Sequence, residues 1–194
     1  MELILIRHGL PVRSRDTSDP PLSDAGHDQA RRVALWLAPE RIDVVASSSM
    51  RRAIQTAEPL AALTGHEIEI HEGIVEFDRH TGSYLPMEEL KRDDYEGWKA
   101  FVARGRDSES LAAFQPTVVE TLEGIVAANR RRRVAVFCHG GVINVWTAYV
   151  LEMTPRLFFE PQYTSVHRYL CAGTGQRNLF SLNETAHLRQ APAI

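Results

Sequence analysis

Residues 3–9 read LILIRHG, a short apolar run that ends in an arginine, a histidine and a glycine. Residues 134–141 read VAVFCHGG and have a similar pattern, an apolar run that is followed directly by a histidine and two glycines. Short runs without polar alternation are typical of strands in a parallel sheet that helices cover on both faces. Because an α/β sheet binds its ligand beyond the carboxyl ends of its strands, we expect His8 and His139 to be functional.

Helical patterns separate these apolar runs. Ser23 is a favourable N-cap residue, and the apolar residues that follow it recur at helical spacing. A second helix is predicted over residues 50–63, which Pro59 should kink or divide and Gly65 should close. A third helical pattern runs through residues 118–126. Strands that alternate with helices predict a three-layer α/β/α sandwich with right-handed crossovers.

The last third of the chain has a different pattern. Residues 165–171 and 176–182 are separated by Gly-Thr-Gly, which is a hairpin signal. We therefore expect antiparallel strands at one edge of a mostly parallel, mixed sheet. At about residues 78–110 the chain turns polar around scattered aromatic residues, without a Pro- or Ser-rich linker. We interpret this segment as an insertion or lid in a single domain of residues 1–194.

Composition and charge exclude several classes of protein. With 44% hydrophobic and 24% charged residues, the 194-residue chain has the composition of a globular domain. A net charge of −3 gives no reason to expect a nucleic acid or a membrane as partner, and arginines 130–133 fit the end of the third helix. Two cysteines are too few for a disulfide framework, and residues 3–6 are too short for a secretory or membrane-spanning segment. We expect a cytoplasmic protein; a homodimer is left open.

Arginines accompany the histidines at the predicted strand ends. Arg7 precedes His8, and residues 47–59, SSSMRRAIQTAEP, place Arg51 and Arg52 at another strand-to-helix turn. Guanidinium groups repel a metal ion, and no cysteines or carboxylates cluster at ligand spacing, so we expect no metal site. Arginine matches phosphate oxygens in bidentate geometry, and a neutral imidazole can attack phosphorus. The sequence therefore predicts a phosphate site.

Several motifs together resemble the histidine phosphatase superfamily, which has the phosphoglycerate mutase-like fold, and in particular its small phosphatase branch. The resemblance covers nearly the whole chain. The matching strings, in the order of the family, are LIRHG at residues 5–9, DPPLSDAGHDQA at 19–30, SSSMRRAIQTAEP at 47–59, VFCHGG at 136–141 and SLNETAHL at 181–188.

The resemblance implies a role for each matched residue. His8 matches the nucleophile that becomes phosphohistidine, and Arg7 and Arg52 match phosphate ligands. His139 matches the second pocket histidine, which contacts phosphoryl oxygens and stabilises developing charge. Gly140 opens the predicted helix after His139, whose N-terminus favours an anion, so it is a further candidate substrate-binding residue.

The proton donor and one phosphate contact are matched less directly. Glu76 fits the frame of the family's general acid and base, with Asp78 and Glu72 as lesser candidates. The family's usual F-G-x-W-E-G continuation is replaced by FDRHTGSYLP at residues 77–86. Ser14 stands where relatives often carry an asparagine that contacts phosphate, and its hydroxyl can still donate one hydrogen bond.

Three further features have alternative interpretations. Leu10 and Pro11 replace the polar pair that follows the glycine in relatives. Thr164 and Ser165 fit a loop that approaches the pocket and a turn that starts a strand equally well. Five apolar side chains of the insertion either pack it onto the domain or form a lid over the leaving group. They are Tyr84, Leu85, Met87, Trp98 and Phe101.

The implied activity is hydrolysis of a small phosphorylated metabolite by a cofactor-independent phosphomonoesterase through a phosphohistidine intermediate. One alternative is a phosphoglycerate mutase, which needs the same pocket, although relatives with that activity are generally longer than this chain. A second alternative is a phosphate-binding regulatory module with weak or no turnover, suggested by the changed residues after Gly9 and by the replaced string after Glu76.

Overall fold

The sheet of the computed structural model is mixed, as the sequence predicts. The structure describes residues 1–77, 79, 82–84, 86–106 and 109–189. Six strands in this part of the chain form one sheet in the order β3-β2-β4-β1-β5-β6. Neighbours from β3 to β1 pair in parallel, whereas β5 pairs with β1 and with β6 in antiparallel fashion. The strands are β1 (Glu2–Arg7), β2 (Val44–Ser48), β3 (Ile68–His71), β4 (Arg133–Cys138), β5 (Val166–Cys171) and β6 (Arg177–Glu184).

Helices cover both faces of the sheet, which confirms the three-layer sandwich. The described helices are α1 (Asp24–Leu37), α2 (Arg51–Thr64), α3 (Met87–Asp93), α4 (Tyr95–Arg106), α5 (Glu109–Ala128) and α6 (Gly140–Val150). Alternate residues of β1 point to opposite layers: Ile4 and Ile6 pack with α1 and α2, and Leu3 and Leu5 with α5 and α6. These four side chains are wholly buried, so each face of the sheet packs against its helices through an apolar core.

Two local predictions have different outcomes. The hairpin is confirmed, since β5 and β6 pair in antiparallel fashion. The expectation that Pro59 divides the second helix is wrong, because α2 is continuous from Arg51 to Thr64 and ends at Gly65, whose φ is 70°. Proline removes one helical hydrogen bond, but the buried Ala57 and Leu60 pack on the sheet from both sides of Pro59.

Strand β3 is absent from the sequence prediction. Its residues alternate isoleucine with glutamate, and the strand lies at an edge of the sheet with its side chains half-buried or exposed. Such a strand lacks the continuous apolar run that predicts a buried strand. The insertion at about residues 78–110 contains the helices α3 and α4. That the whole chain forms a single domain with this insertion stays a prediction.

Some of the predicted lid lies outside the described part of the chain: Leu85, and the side chains of Met87 and Phe101. The ring of Trp98 stacks on Tyr95, with centroids 5.4 Å apart. No helix in the described ranges is long and apolar enough to cross a membrane. Both cysteines are buried and unbridged.

Helix α1 approaches the loop after β1 so closely that only glycine fits. A Cβ on Gly9 would lie 2.7 Å from the Gly26 carbonyl oxygen, and a Cβ on Gly26 would lie 2.1 Å from the Leu10 carbonyl oxygen. The same carbonyl accepts from the Ser23 hydroxyl at 2.8 Å, and the Leu10 amide donates to Gln29 Oε1 at 2.8 Å. The N-terminal half of α1 therefore fixes the loop that follows His8.

We expect Gly26→Ala and Gly124→Ala to change stability in opposite directions. Alanine favours a helix over glycine by up to about 1 kcal/mol. At Gly124 in α5 an added Cβ meets nothing within 4 Å, so the free energy of unfolding in urea should rise by about 0.5–1 kcal/mol. At Gly26 the clash with backbone should lower it by about 1–3 kcal/mol. A rise in both variants would contradict the close approach.

Candidate active site

His8 follows the last residue of β1 and is 2% exposed. Its Nδ1 lies 2.8 Å from the carbonyl oxygen of Gly9. A carbonyl oxygen only accepts hydrogen bonds, so Nδ1 carries the proton and Nε2 carries the lone pair. Arg52 Nε donates to His8 Nε2 at 3.2 Å, in agreement with this tautomer. The ring therefore offers a nucleophilic Nε2.

The surroundings of His8 keep the ring neutral. Burial lowers its pKa well below the usual 6.5, and the positive charge of Arg52, the neighbouring His139 and the charge of Arg7 lower it further. The hydrogen bond to Gly9 acts in the other direction but does not outweigh them. An imidazole that is neutral at neutral pH can act as a nucleophile without first losing a proton.

The strand end of β4 brings His139 beside His8, as the sequence predicts. His139 is wholly buried at the N-cap of α6, and the two ring centroids are 5.2 Å apart. Burial, followed by the charges of Arg52 and Arg7, lowers its pKa well below the usual range. Its Nε2 lies 2.9 Å from Ser48 Oγ, whereas its buried Nδ1 has no hydrogen-bond partner among the residues that the structure describes.

Both predicted phosphate-binding arginines border His8. Arg52, in the first turn of α2, is wholly buried and donates from Nη1 to the carbonyl of Ser18 at 2.8 Å and to Asp19 Oδ1 at 3.3 Å. Its buried Nη2 has no hydrogen-bond partner within the described ranges of the chain. Arg7 is 7% exposed and donates from Nη1 to the Pro161 carbonyl at 2.5 Å. A buried guanidinium N–H without an acceptor is costly, which favours an anion at this point.

Two tyrosine rings that the motifs do not single out flank the same histidine. The ring centroid of Tyr163 lies 3.9 Å from the guanidinium carbon of Arg7 and 5.7 Å from the His8 ring. The Tyr84 ring lies 4.9 Å from the guanidinium carbon of Arg52 and 6.4 Å from the His8 ring. The two tyrosine hydroxyls are 3.4 Å apart. Each arginine thus lies under one aromatic face.

Glu76 is held at the N-terminus of α6. Its Oε2 accepts from the Gly141 amide and its Oε1 from the Phe77 amide, both at 3.1 Å. A Cβ on Gly141 would lie 2.2 Å from Glu76 Oε1, so only glycine admits the carboxylate here. Because His139 is the N-cap of the same helix, α6 brings the carboxylate and the second histidine to one end.

The two lesser acid candidates have different positions. Glu72 is exposed, and its Oε2 accepts from the Ser49 hydroxyl at 2.7 Å. Asp78 lies outside the described residues. Among the described candidates Glu76 alone contacts the α6 N-terminus through its carboxylate, so its role as the acid and base stays the favoured prediction.

The remaining predicted site residues, Ser14 and Gly140, lie next to Tyr84 and Arg7 respectively. Ser14 exchanges two backbone hydrogen bonds with Tyr84, at 3.0 and 2.8 Å, and its Oγ accepts from the amides of Asp16 and Thr17, both at 3.2 Å. Gly140 opens α6, and a Cβ there would lie 3.9 Å from Arg7 Nε. Contact of either residue with substrate stays a prediction.

The turn before β5 supports the end of β1. The Thr164 amide donates to the His8 carbonyl at 3.3 Å, and the Arg7 amide donates to the Ser165 carbonyl at 3.2 Å. Both Thr164 and Ser165 are wholly buried. These backbone bonds agree with the interpretation as a turn that starts a strand, and they hold Arg7 and His8 in place.

The described residues contain no group of three or more histidine, cysteine, aspartate or glutamate side chains that could hold a metal ion. The donors around His8 are instead nitrogen atoms of arginine and histidine. Such a set suits a phosphate oxygen, because each atom can donate a hydrogen bond to it.

Comparisons with known proteins agree with this arrangement. Residues 3–185 match the model of the histidine phosphatase superfamily (branch 1). Phosphoserine phosphatase 1 of Hydrogenobacter thermophilus is 30% identical, over 97% of this chain and 94% of that protein. Phosphoglycerate mutase-like protein 4 of Arabidopsis thaliana is 32% identical, over 74% of this chain and 68% of that protein.

Solved structures show the same fold. The crystal structure of a mutant phosphoserine phosphatase from Entamoeba histolytica in complex with phosphoserine has 27% sequence identity and a TM-score of 0.76, over 97% of this chain and 99% of that one. The chain therefore belongs to the histidine phosphatase superfamily, and it is a phosphoric monoester hydrolase with the phosphoglycerate mutase-like α/β fold.

Proposed function

We propose that this chain hydrolyses the phosphomonoester of a small metabolite through a phosphohistidine on His8. The observation that carries the proposal is a neutral, buried His8 beside two buried nitrogen atoms that lack hydrogen-bond partners in the described part of the chain. These atoms are Arg52 Nη2 and His139 Nδ1. A phosphoryl group supplies oxygen acceptors for both, next to the nucleophile that attacks it.

In the first step the phosphoryl oxygens bind Arg52 and release its Nε from the His8 lone pair. His8 Nε2 then attacks phosphorus in line, an N–P bond forms, and the ester P–O bond breaks. The electron pair of that bond stays on the leaving oxygen, which takes a proton from the Glu76 carboxyl group. The alcohol leaves, and phosphohistidine remains.

In the second step the Glu76 carboxylate removes a proton from water, whose oxygen attacks phosphorus on the opposite side from the imidazole. The N–P bond breaks, and its electron pair returns to Nε2. Inorganic phosphate leaves and the resting enzyme is restored. Arg7, Arg52 and His139 stabilise the negative charge on the phosphoryl oxygens in both steps.

Names of the relatives support a small leaving group. Phosphoserine is the substrate in the names of the relatives in Hydrogenobacter and Entamoeba, and a mycobacterial relative is named for glucosyl-3-phosphoglycerate. Phosphoserine is thus the first substrate to test. The mutase alternative would convert 3-phosphoglycerate to 2-phosphoglycerate without release of phosphate, and the regulatory alternative would bind vanadate without turnover.

His8→Ala should lower hydrolysis of p-nitrophenyl phosphate by about 10⁴-fold or more, because the nucleophile is lost. Wild-type protein mixed with ³²P-labelled substrate and quenched should retain label on His8, and His8→Ala should retain none. His27→Ala, which changes a histidine outside the pocket on α1, is the control and should keep both activities. Equal labelling of His8→Ala and wild type would contradict a phosphohistidine on His8.

Glu76→Gln should lower kcat for phosphoserine by about 10²–10³-fold, because the alkoxide of serine needs a proton to leave. With p-nitrophenyl phosphate the leaving group needs no acid, so labelled phosphoenzyme should accumulate while its hydrolysis is slow. Glu72→Gln is the matched control and should resemble wild type. If Glu72→Gln turned over slowly and Glu76→Gln turned over normally, the general acid and base would be Glu72 and not Glu76.

The lowered pKa of His8 predicts the acid side of the pH profile. Because burial and the charge of Arg52 hold the pKa of His8 well below 6.5, protonation of His8 should not lower activity as the pH falls from 8 through 6.5. Protonation of the phosphate ester, near pH 6, should lower it. A plot of log kcat/KM for p-nitrophenyl phosphate should therefore fall with a limiting slope of one at most. A slope of two would mean that His8 also gains a proton there.

A further inference from the structure

Ser48 contacts His139, the second histidine of the site. It is the last residue of β2, is wholly buried, and its Oγ lies 2.9 Å from His139 Nε2. The resemblance to the family and the motifs quoted above assign it no role. We propose, on the basis of the proposed function, that Ser48 is a positioning residue that holds His139 in the tautomer with the proton on Nδ1, so that this atom donates to a phosphoryl oxygen.

The hydrogen bonds of the Ser48 hydroxyl determine its direction. Its oxygen already accepts from the Met50 amide at 3.2 Å. The hydroxyl has one proton to donate, and within the described chain His139 Nε2 is the acceptor that it contacts. Donation from Ser48 to Nε2 therefore satisfies both groups.

The opposite arrangement is less favourable for two reasons. If Nε2 carried the proton and donated to Ser48, the buried hydroxyl proton would contact no acceptor in the described chain, which costs free energy. His139 Nδ1 lacks a partner among the described residues in either tautomer, but in the opposite one it would present a lone pair. That lone pair would repel the oxygens of the phosphate that the proposed function places beside His8, whereas an N–H would bind them.

The chosen tautomer explains why the second histidine needs no charge. A neutral His139 has a single proton, and with Nε2 accepting from Ser48 this proton is on Nδ1. The buried, partnerless Nδ1 then becomes an N–H donor beside His8, with ring centroids 5.2 Å apart. Burial and the charges of Arg52 and Arg7 lower the pKa of His139 well below its usual value. The His139 ring is therefore neutral at neutral pH and donates through its single N–H.

Long-range ¹H–¹⁵N NMR of the resting protein, labelled with ¹⁵N at its eight histidines, tests the tautomer directly. The signals of His139 are assigned by their loss in His139→Gln. We expect a protonated Nδ1 and an unprotonated Nε2 in the wild type. A proton on Nε2 would overturn the proposal, and this readout requires no variant of Ser48 and no turnover.

Ser48→Ala tests the consequence for phosphate. Without the hydroxyl the tautomers should mix, and the inhibition constant of vanadate should rise by about tenfold. Ser47→Ala is the matched control: it removes a buried hydroxyl from the neighbouring residue of β2, one that bonds the Ser48 carbonyl and not His139. It should change the constant by no more than about twofold. An unchanged His139 tautomer and vanadate constant in Ser48→Ala would overturn the proposal.

The two proposals fail in different ways. If phosphate never forms a bond with His8, the wild-type protein yields no labelled histidine, whatever the tautomer of His139. If Ser48 has only a structural role, label forms on His8 as usual, and Ser48→Ala and Ser47→Ala weaken vanadate equally.

Discussion

The guanidinium of Arg52 is wholly buried, and it has more N–H donors than the described fold supplies with acceptors. Its Nη1 is paired with the Ser18 carbonyl and with Asp19, and its Nε with His8, but Nη2 contacts no acceptor in the described part of the chain. A buried cation of this kind is stable only if opposite charge or further acceptors surround it. In the proposed function a bound phosphoryl group supplies them.

The same cation sets the chemistry of both histidines. Next to burial, its charge is the largest influence that lowers the pKa of His8 and of His139. Each ring is therefore neutral, and the hydrogen bonds to Gly9 and Ser48 decide which nitrogen carries the proton. One neutral imidazole can thus attack phosphorus while the other donates a hydrogen bond, a division of roles that two charged rings could not provide.

Sequence patterns predicted the parts of the site that follow buried strands. Arg7 and His8 at the end of β1, Arg52 after β2 and His139 after β4 come together because the carboxyl ends of parallel strands share one edge. Tyr84 was predicted only as one of the insertion's apolar side chains, either in a lid or in packing. Its position beside Arg52 depends on a backbone bridge to Ser14, far away in the chain.

Other features depend on tertiary contacts that no local pattern encodes. Tyr163 and Ser48 become informative only when their distances to Arg7 and His139 are known. Strand β3 is stabilised by pairing at an edge rather than by an apolar run. The continuity of α2 through Pro59 depends on packing against the sheet, which outweighs the lost hydrogen bond.

A crystal structure of the protein with bound vanadate tests the central claim most directly, because vanadate mimics the phosphoryl group in transfer. We predict a bond between vanadium and His8 Nε2, with vanadate oxygens about 2.7–3.1 Å from Arg52 Nη2 and His139 Nδ1. Vanadate bound away from His8, or a pocket in which these two nitrogens still lack partners, would contradict the account.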